Sequence, residues 1–172
     1  MDDYHQVLSK SLDDRLNIWK IVAGTGTAGS TATTLYGPKG IYVDFNLTLY
    51  VADCLNNRIQ RFRYGELNGT TIVGTASSGT ISLYCPVDLW FDADGYMFIL
   101  EHYNHRIIRS GPSGFFCIVA CTGALGSTAN HLHYPTSFSF DSYGNIYVAD
   151  YSNHRLQKFT LISNRCSNYQ KF

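Results

Sequence analysis

Three acidic residues each stand five positions ahead of an arginine: Asp53 with Arg58, Glu101 with Arg106, and Asp150 with Arg155. Such pairs suit acid–base chemistry, an anion site, or an ion pair that closes a turn. Recurrence favours the ion pair, because repeats reuse one supersecondary unit. A carboxylate ending one strand meets an arginine opening the next, and Asn56, Asn104 and Asn153 can bond the turn backbone. His102, His131 and His133 do not recur: His102 aligns with Cys54 and Tyr151, and the other two with Ser82 and Tyr84. Two or three such imidazoles can bind zinc, with Glu101 or His105 completing the shell. Lone surface histidines are the commoner case. With Tyr103 and Tyr151, the same three histidines form the candidate binding set. Gly24, Gly26 and Gly29 spell the Gly-x-Gly-x-x-Gly phosphate fingerprint, which needs a following helix. Serine, threonine and Pro38 follow instead. It reads as a loop.

The elements that must position these residues repeat. Pro38, Pro86 and Pro135 are 48 and 49 residues apart, and Asp44, Asp92 and Asp141 keep the same spacings. So do the acidic and arginine positions above. A period near 45–50 with several strands per unit is a propeller-blade signature. The 3.6-residue apolar pattern of helical repeats is absent. Each unit divides into four strands, in the second roughly 87–92, 96–101, 106–110 and 115–120. Fourth-strand segments fall at 19–23, 71–74 and 116–120. The expected order is one fourth strand, two full blades, then three strands of another. The segments are a tail at 1–17, blades at 18–70, 71–121 and 122–160, and a tail or edge strand at 161–172.

Of 172 residues, 45% are apolar, 15% aromatic and 15% charged, with thirteen Tyr and ten Phe. That suits a strand-rich globular fold. Net charge is zero, which removes the overall pull expected of a nucleic-acid binder. No apolar run is long enough to span a membrane, and the first residues lack a secretion signal. Five cysteines and two glycosylation sequons, at Asn46 and Asn68, favour an oxidising, extracellular setting. A chain complete as written would instead sit in the cytoplasm.

The string Ile146-Tyr-Val-Ala-Asp-Tyr-Ser-Asn-His-Arg-Leu-Gln-Lys-Phe159 resembles the NHL repeat, named for its Asn-His-Leu triplet. Arg155 stands between His154 and Leu156, as in many members. The resemblance covers about residues 18–160. Its second unit has Glu101 in place of Asp, and its first has Asn57 in place of His. It implies an all-β chain of four-stranded antiparallel propeller blades, about three of them, in an incomplete ring. Family rings most often have six blades, so the expected chain is a fragment of a larger protein. An open arc and half of a two-chain ring are the alternatives.

In propeller topology, connections between second and third strands and between blades share one face. The remaining turns, with both sequons, lie on the other. Cys54 and Cys85 fall on the first face of neighbouring blades, which makes a bridge between them reasonable. Cys117 and Cys121, four apart on a predicted strand, share a face and are not expected to bond each other; Cys166 is an open partner. The expected function is a non-catalytic interaction module that presents inter-blade loops to a protein or glycan, without a cofactor. Further blades or a second chain are possible pairing partners. Two alternatives come with the resemblance: a metal-dependent enzyme similar to peptidyl-hydroxyglycine amidating lyase, and an RNA-binding domain of the tripartite-motif kind.

Overall fold

The structure is a computed structural model that describes residues 4–13, 15, 17–74, 77 and 80–160. It divides into two compact units, Met1–Pro86 and Val87–Phe172. In the first, β1 (Gln6–Ser9) pairs antiparallel with β2 (Lys20–Gly24). A four-stranded antiparallel sheet follows, ordered β3 (Pro38–Val43), β4 (Leu49–Asp53), β5 (Arg58–Phe62) and β6 (Thr70–Gly74). The strands are short runs of β-branched and aromatic residues, which fit a pleated surface. Ala23 from β2 joins Leu35, Leu49, Val51 and Phe62 in one buried cluster, with Val7 and Val22 packed against it. Burying each of the large side chains stabilises the unit by about 1.5–3 kcal/mol.

From Val87 onward in the second unit, β7 (Pro86–Phe91), β8 (Met97–Glu101), β9 (Arg106–Gly111) and β10 (Gly114–Val119) form another four-stranded sheet. A three-stranded sheet of β11 (Ser137–Phe140), β12 (Ile146–Asp150) and β13 (Arg155–Phe159) follows. Phe98 meets Phe140 edge-to-face with ring centroids 4.9 Å apart. Among the described residues the chain is all-β apart from two single-turn 3-10 segments, Cys54–Asn56 and Tyr151–Asn153.

Two differences from the expected layout have local causes. The segment expected as a tail contains β1, and His5 beside it takes a left-handed φ of 41°. Asn57, His105 and His154 share that conformation, at 53°, 50° and 52°. His5 lies 52 residues before Asn57, so β1 and β2 are the third and fourth strands of another blade. Cys117 and Cys121, expected not to reach each other, form a disulfide with Cα atoms 5.5 Å apart. Strand β10 ends at Val119, the pairing shifts register between Cys117 and Val119, and Ala120 has φ 54°. The chain therefore doubles back, where four extended residues would cover about 13 Å. The proposed edge strand at 161–172 and Cys166 lie outside the described residues. No helix follows Gly29, so the glycine-rich stretch is a loop.

Candidate functional site

Each strand corner is built around its carboxylate. Asp53 is fully buried and sits 2.7 Å from Arg58 Nε. It also accepts from Asn56 Nδ2 at 2.8 Å and from the Tyr36 amide at 2.7 Å. The guanidinium of Arg58 donates onward to the carbonyls of Ser30, Thr31 and Thr34. In the third repeat, Asp150 pairs with Arg155 at 2.8 Å. That arginine donates to the carbonyls of Ser127, Thr128 and His131. Glu101 pairs with Arg106 at 2.7 Å and accepts from Asn104. Burial pushes the Asp150 carboxyl up, yet Asn153, Arg155, the His133 amide and Gln157 outweigh it and leave it below the usual carboxylate value. These six residues brace corners and the loops wrapped on them.

Each corner then grips the segment that leads into the next blade. The residue before each repeated proline is left-handed: Gly37 at φ 57°, Cys85 at 49° and Tyr134 at 49°. Its amide donates to the left-handed corner residue of the preceding blade. Gly37 N reaches His5 Nδ1 at 3.1 Å, Cys85 N reaches Asn57 Oδ1 at 2.8 Å, and Tyr134 N reaches His105 Nδ1 at 3.2 Å. Cys54 and Cys85 add a disulfide at the second of these contacts.

At the third, in the second unit, the contact widens into an aromatic cluster. Tyr134 is its hub, with ring centroids 5.0 Å from His102, 5.9 Å from Tyr103, 4.8 Å from His105 and 4.9 Å from His133. His102 Nδ1 lies 3.0 Å from the Pro135 carbonyl, so it carries the proton and donates. His105 Nδ1 accepts and must be unprotonated. Burial, then His133 and His102, push the His105 pKa below its ordinary value. Tyr103 is 40% exposed at the edge of the cluster.

Of the sequence-derived candidates, His102, Tyr103 and His133 come together. His131 turns to the Thr128 hydroxyl at 2.6 Å. Tyr151, at the corner between β12 and β13, is 66% exposed. Among the described residues no group of three or more His, Cys, Asp or Glu side chains could hold a metal ion. Asn46 and Asn68 are both exposed on turns. Sequence reasoning treated His105 only as a repeat position and passed over Tyr134 and His5. The missed signal was the residue before each repeated proline, whose types vary while its conformation does not. Asp88 was also missed. Half-buried, with its carboxyl pushed up by desolvation, it receives the Ser137 hydroxyl at 3.0 Å and the Phe138 amide at 3.1 Å, tying the two sheets of the unit.

The family model described as NHL repeat matches residues 35–62 and 132–159. No curated protein matches the chain in sequence. A structural genomics protein of unknown function from Bacteroides thetaiotaomicron is similar in fold, with TM-score 0.71 and 11% identity over 91% of this chain and 42% of that one. Catalytically inactive virginiamycin B lyase from Staphylococcus aureus, crystallised with quinupristin, gives 0.54 and 14% over 94% and 50%. A gluconolactonase from Xanthomonas campestris gives 0.52 and 16% over 69% and 36%. The chain thus spans half or less of the structures it resembles.

Proposed function

Since this chain carries NHL repeats and is built of β-propeller blades of that family, we propose that it is a non-catalytic interaction module. Its binding surface is the inter-blade face centred on His102, Tyr103, His133 and Tyr134, and its partner is a protein or a glycan. The gathered rings are the observation that carries this reading. Aromatic and imidazole side chains on loops, held by a rigid sheet, offer large contact area at low entropy cost. The corner carboxylates, the natural candidates for acid–base work, are spent on arginines. A lyase and a lactonase share the fold, so the fold hosts catalysis elsewhere, and function must be argued from the site.

Two disulfides and two exposed sequons support an oxidising, extracellular setting for the module. The binding test is a glycan and peptide array probed with the native chain and with a His102→Ala/Tyr103→Ala/His133→Ala variant. Ligands held by the native chain and lost by the variant support the reading. Equal binding by a folded variant places recognition elsewhere.

A further inference from the structure

We infer that the Cys117–Cys121 disulfide is a site of thiol–disulfide exchange, opened by an external dithiol to release the end of β10. The inference stands apart from the binding face proposed above. The two bridges among the described residues differ in access. Cys54 and Cys85 are 2% and 4% exposed, which closes them to an attacking thiolate. Cys121 is exposed and Cys117 half-buried. The exposed bridge closes over a sequence separation of four, the buried one over 31. Short loops constrain the unfolded chain least, and exposed bridges are the readily reduced ones.

The place of the bridge in the repeat says what it holds. Strands β2 and β6 end on Gly24 and Gly74, left-handed at φ 78° and 121°. Each pairs with the residue after a left-handed corner residue, Gln6 and Arg58. An added Cβ would collide with the His5 carbonyl oxygen at Gly24, and at Gly74 would lie 2.6 Å from that of Asn57. In β10 the same place falls to Ala120, since Val119 pairs with Ile107 as Val73 does with Ile59. Ala120 is also left-handed, at φ 54°. Pairing stops at Val119, so the closing pair to Arg106 is not made. A crowded Cβ costs the strand that pair, and the Cys117–Cys121 bridge spans the position instead.

The reductant is a dithiol of the thioredoxin type. Its first thiolate attacks the exposed Cys121 sulfur, forming a mixed disulfide and expelling Cys117 as a thiolate. Its second thiolate attacks its own bonded sulfur, frees Cys121 as a thiolate and leaves the reductant as a disulfide. Two electrons pass to the protein, and each freed thiolate takes up a proton. The Val119 carbonyl oxygen, 3.4 Å from Cys117 Sγ, accepts the hydrogen bond of the new thiol. No covalent link then holds Ala120 left-handed, a conformation unfavourable for a residue with a Cβ. The turn closed by the Gly123 amide on the Ala120 carbonyl loosens with it.

The test is timed reduction of the folded chain, carrying Cys166→Ser to remove the fifth cysteine, by dithiothreitol and by a thioredoxin-type protein. Freed thiols are alkylated and located by peptide mass. Cys117 and Cys121 should be labelled about tenfold faster than Cys54 and Cys85. Amide hydrogen exchange at residues 118–124 should rise about tenfold on reduction. Ala120→Gly should suppress that rise, because the closing pair to Arg106 then forms without the bridge. Labelling of all four cysteines together, or of Cys54 and Cys85 first, overturns the exchange site. Unchanged exchange at 118–124 in the reduced chain, or an equal rise with Ala120→Gly, overturns the release of β10.

Discussion

His105 carries a proton-linked contact. Its Nδ1 must stay unprotonated to receive the Tyr134 amide, and its pKa lies below the ordinary value of about 6.5. As pH falls below about 6.5, the unfolded chain takes up a proton that the folded chain refuses, so stability falls with pH until the folded pKa is passed. Denaturant titrations of the native chain should therefore show a midpoint that drops between about pH 7 and 5. His105→Asn keeps an acceptor, as Asn57 does in its own corner, and should flatten this part of the profile. An unchanged slope would remove His105 from the account. Asp150 acts lower: its depressed pKa contributes stability that is present above about pH 4 and lost below it. Asp92 shows the repeat at fault. Asp44 and Asp141 each use one oxygen on two turn amides and the other on a tyrosine hydroxyl, Tyr50 or Tyr147, at 3.4 Å. Asp92 makes the amide bonds, but its buried Oδ2 has no hydrogen-bond partner, because Phe98 stands where the tyrosine would be. Phe98→Tyr should raise stability by about 0.5–1 kcal/mol, read as a higher midpoint in thermal melting.

The repeat made most elements legible. Strands β7 to β10 fall within about two residues of their expected bounds, because alternating β-branched and aromatic runs between Gly and Asp turns carry a strong signal. The cysteines were legible only where the repeat placed them. Cys54 and Cys85 follow the blade geometry and bond as expected, whereas Cys117 and Cys121 depend on a register shift and one left-handed alanine, which no pattern announces. Their energetics should differ accordingly. The first bridge spans 31 residues and the second four, so removing them costs about 3–4 and about 2 kcal/mol in the chain-entropy picture. Paired Cys→Ala variants in urea check the order. Glycines give a parallel contrast. At Gly74, with φ 121°, an added Cβ would lie 2.6 Å from the Asn57 carbonyl oxygen, whereas at Gly65, with φ 79°, it would meet nothing within 4 Å. Gly74→Ala should destabilise the first unit by several times the roughly 1 kcal/mol that left-handed strain costs at Gly65→Ala. Similar melting temperatures for the two variants would show that β6 does not need to approach the corner so closely.

Among the described residues, the strands group as two, four, four and three. The fold was therefore readable from four residue types at one spacing, including the fourth strand expected at 19–23, which is β2. Its partner β1 escaped because Gln6 stands where the other repeats have the arginine that opens the third strand. The candidate site was less legible. His102 and His133 stood out by breaking the repeat, but Tyr134 joins them only through the left-handed turn before Pro135, and His131 turns away to Thr128. The extracellular reading belongs to this scale too: expression in a secretory host should give a chain whose intact mass carries glycan at Asn46 and Asn68, and an unmodified mass would weaken it. The central claim is that the inter-blade face, not the opposite turns, recognises the partner. Amide chemical-shift mapping with the strongest ligand from the arrays tests it most directly. Shifts should concentrate at residues 102–105 and 131–134, and shifts confined to the turns at 92–96 and 141–145 would contradict it.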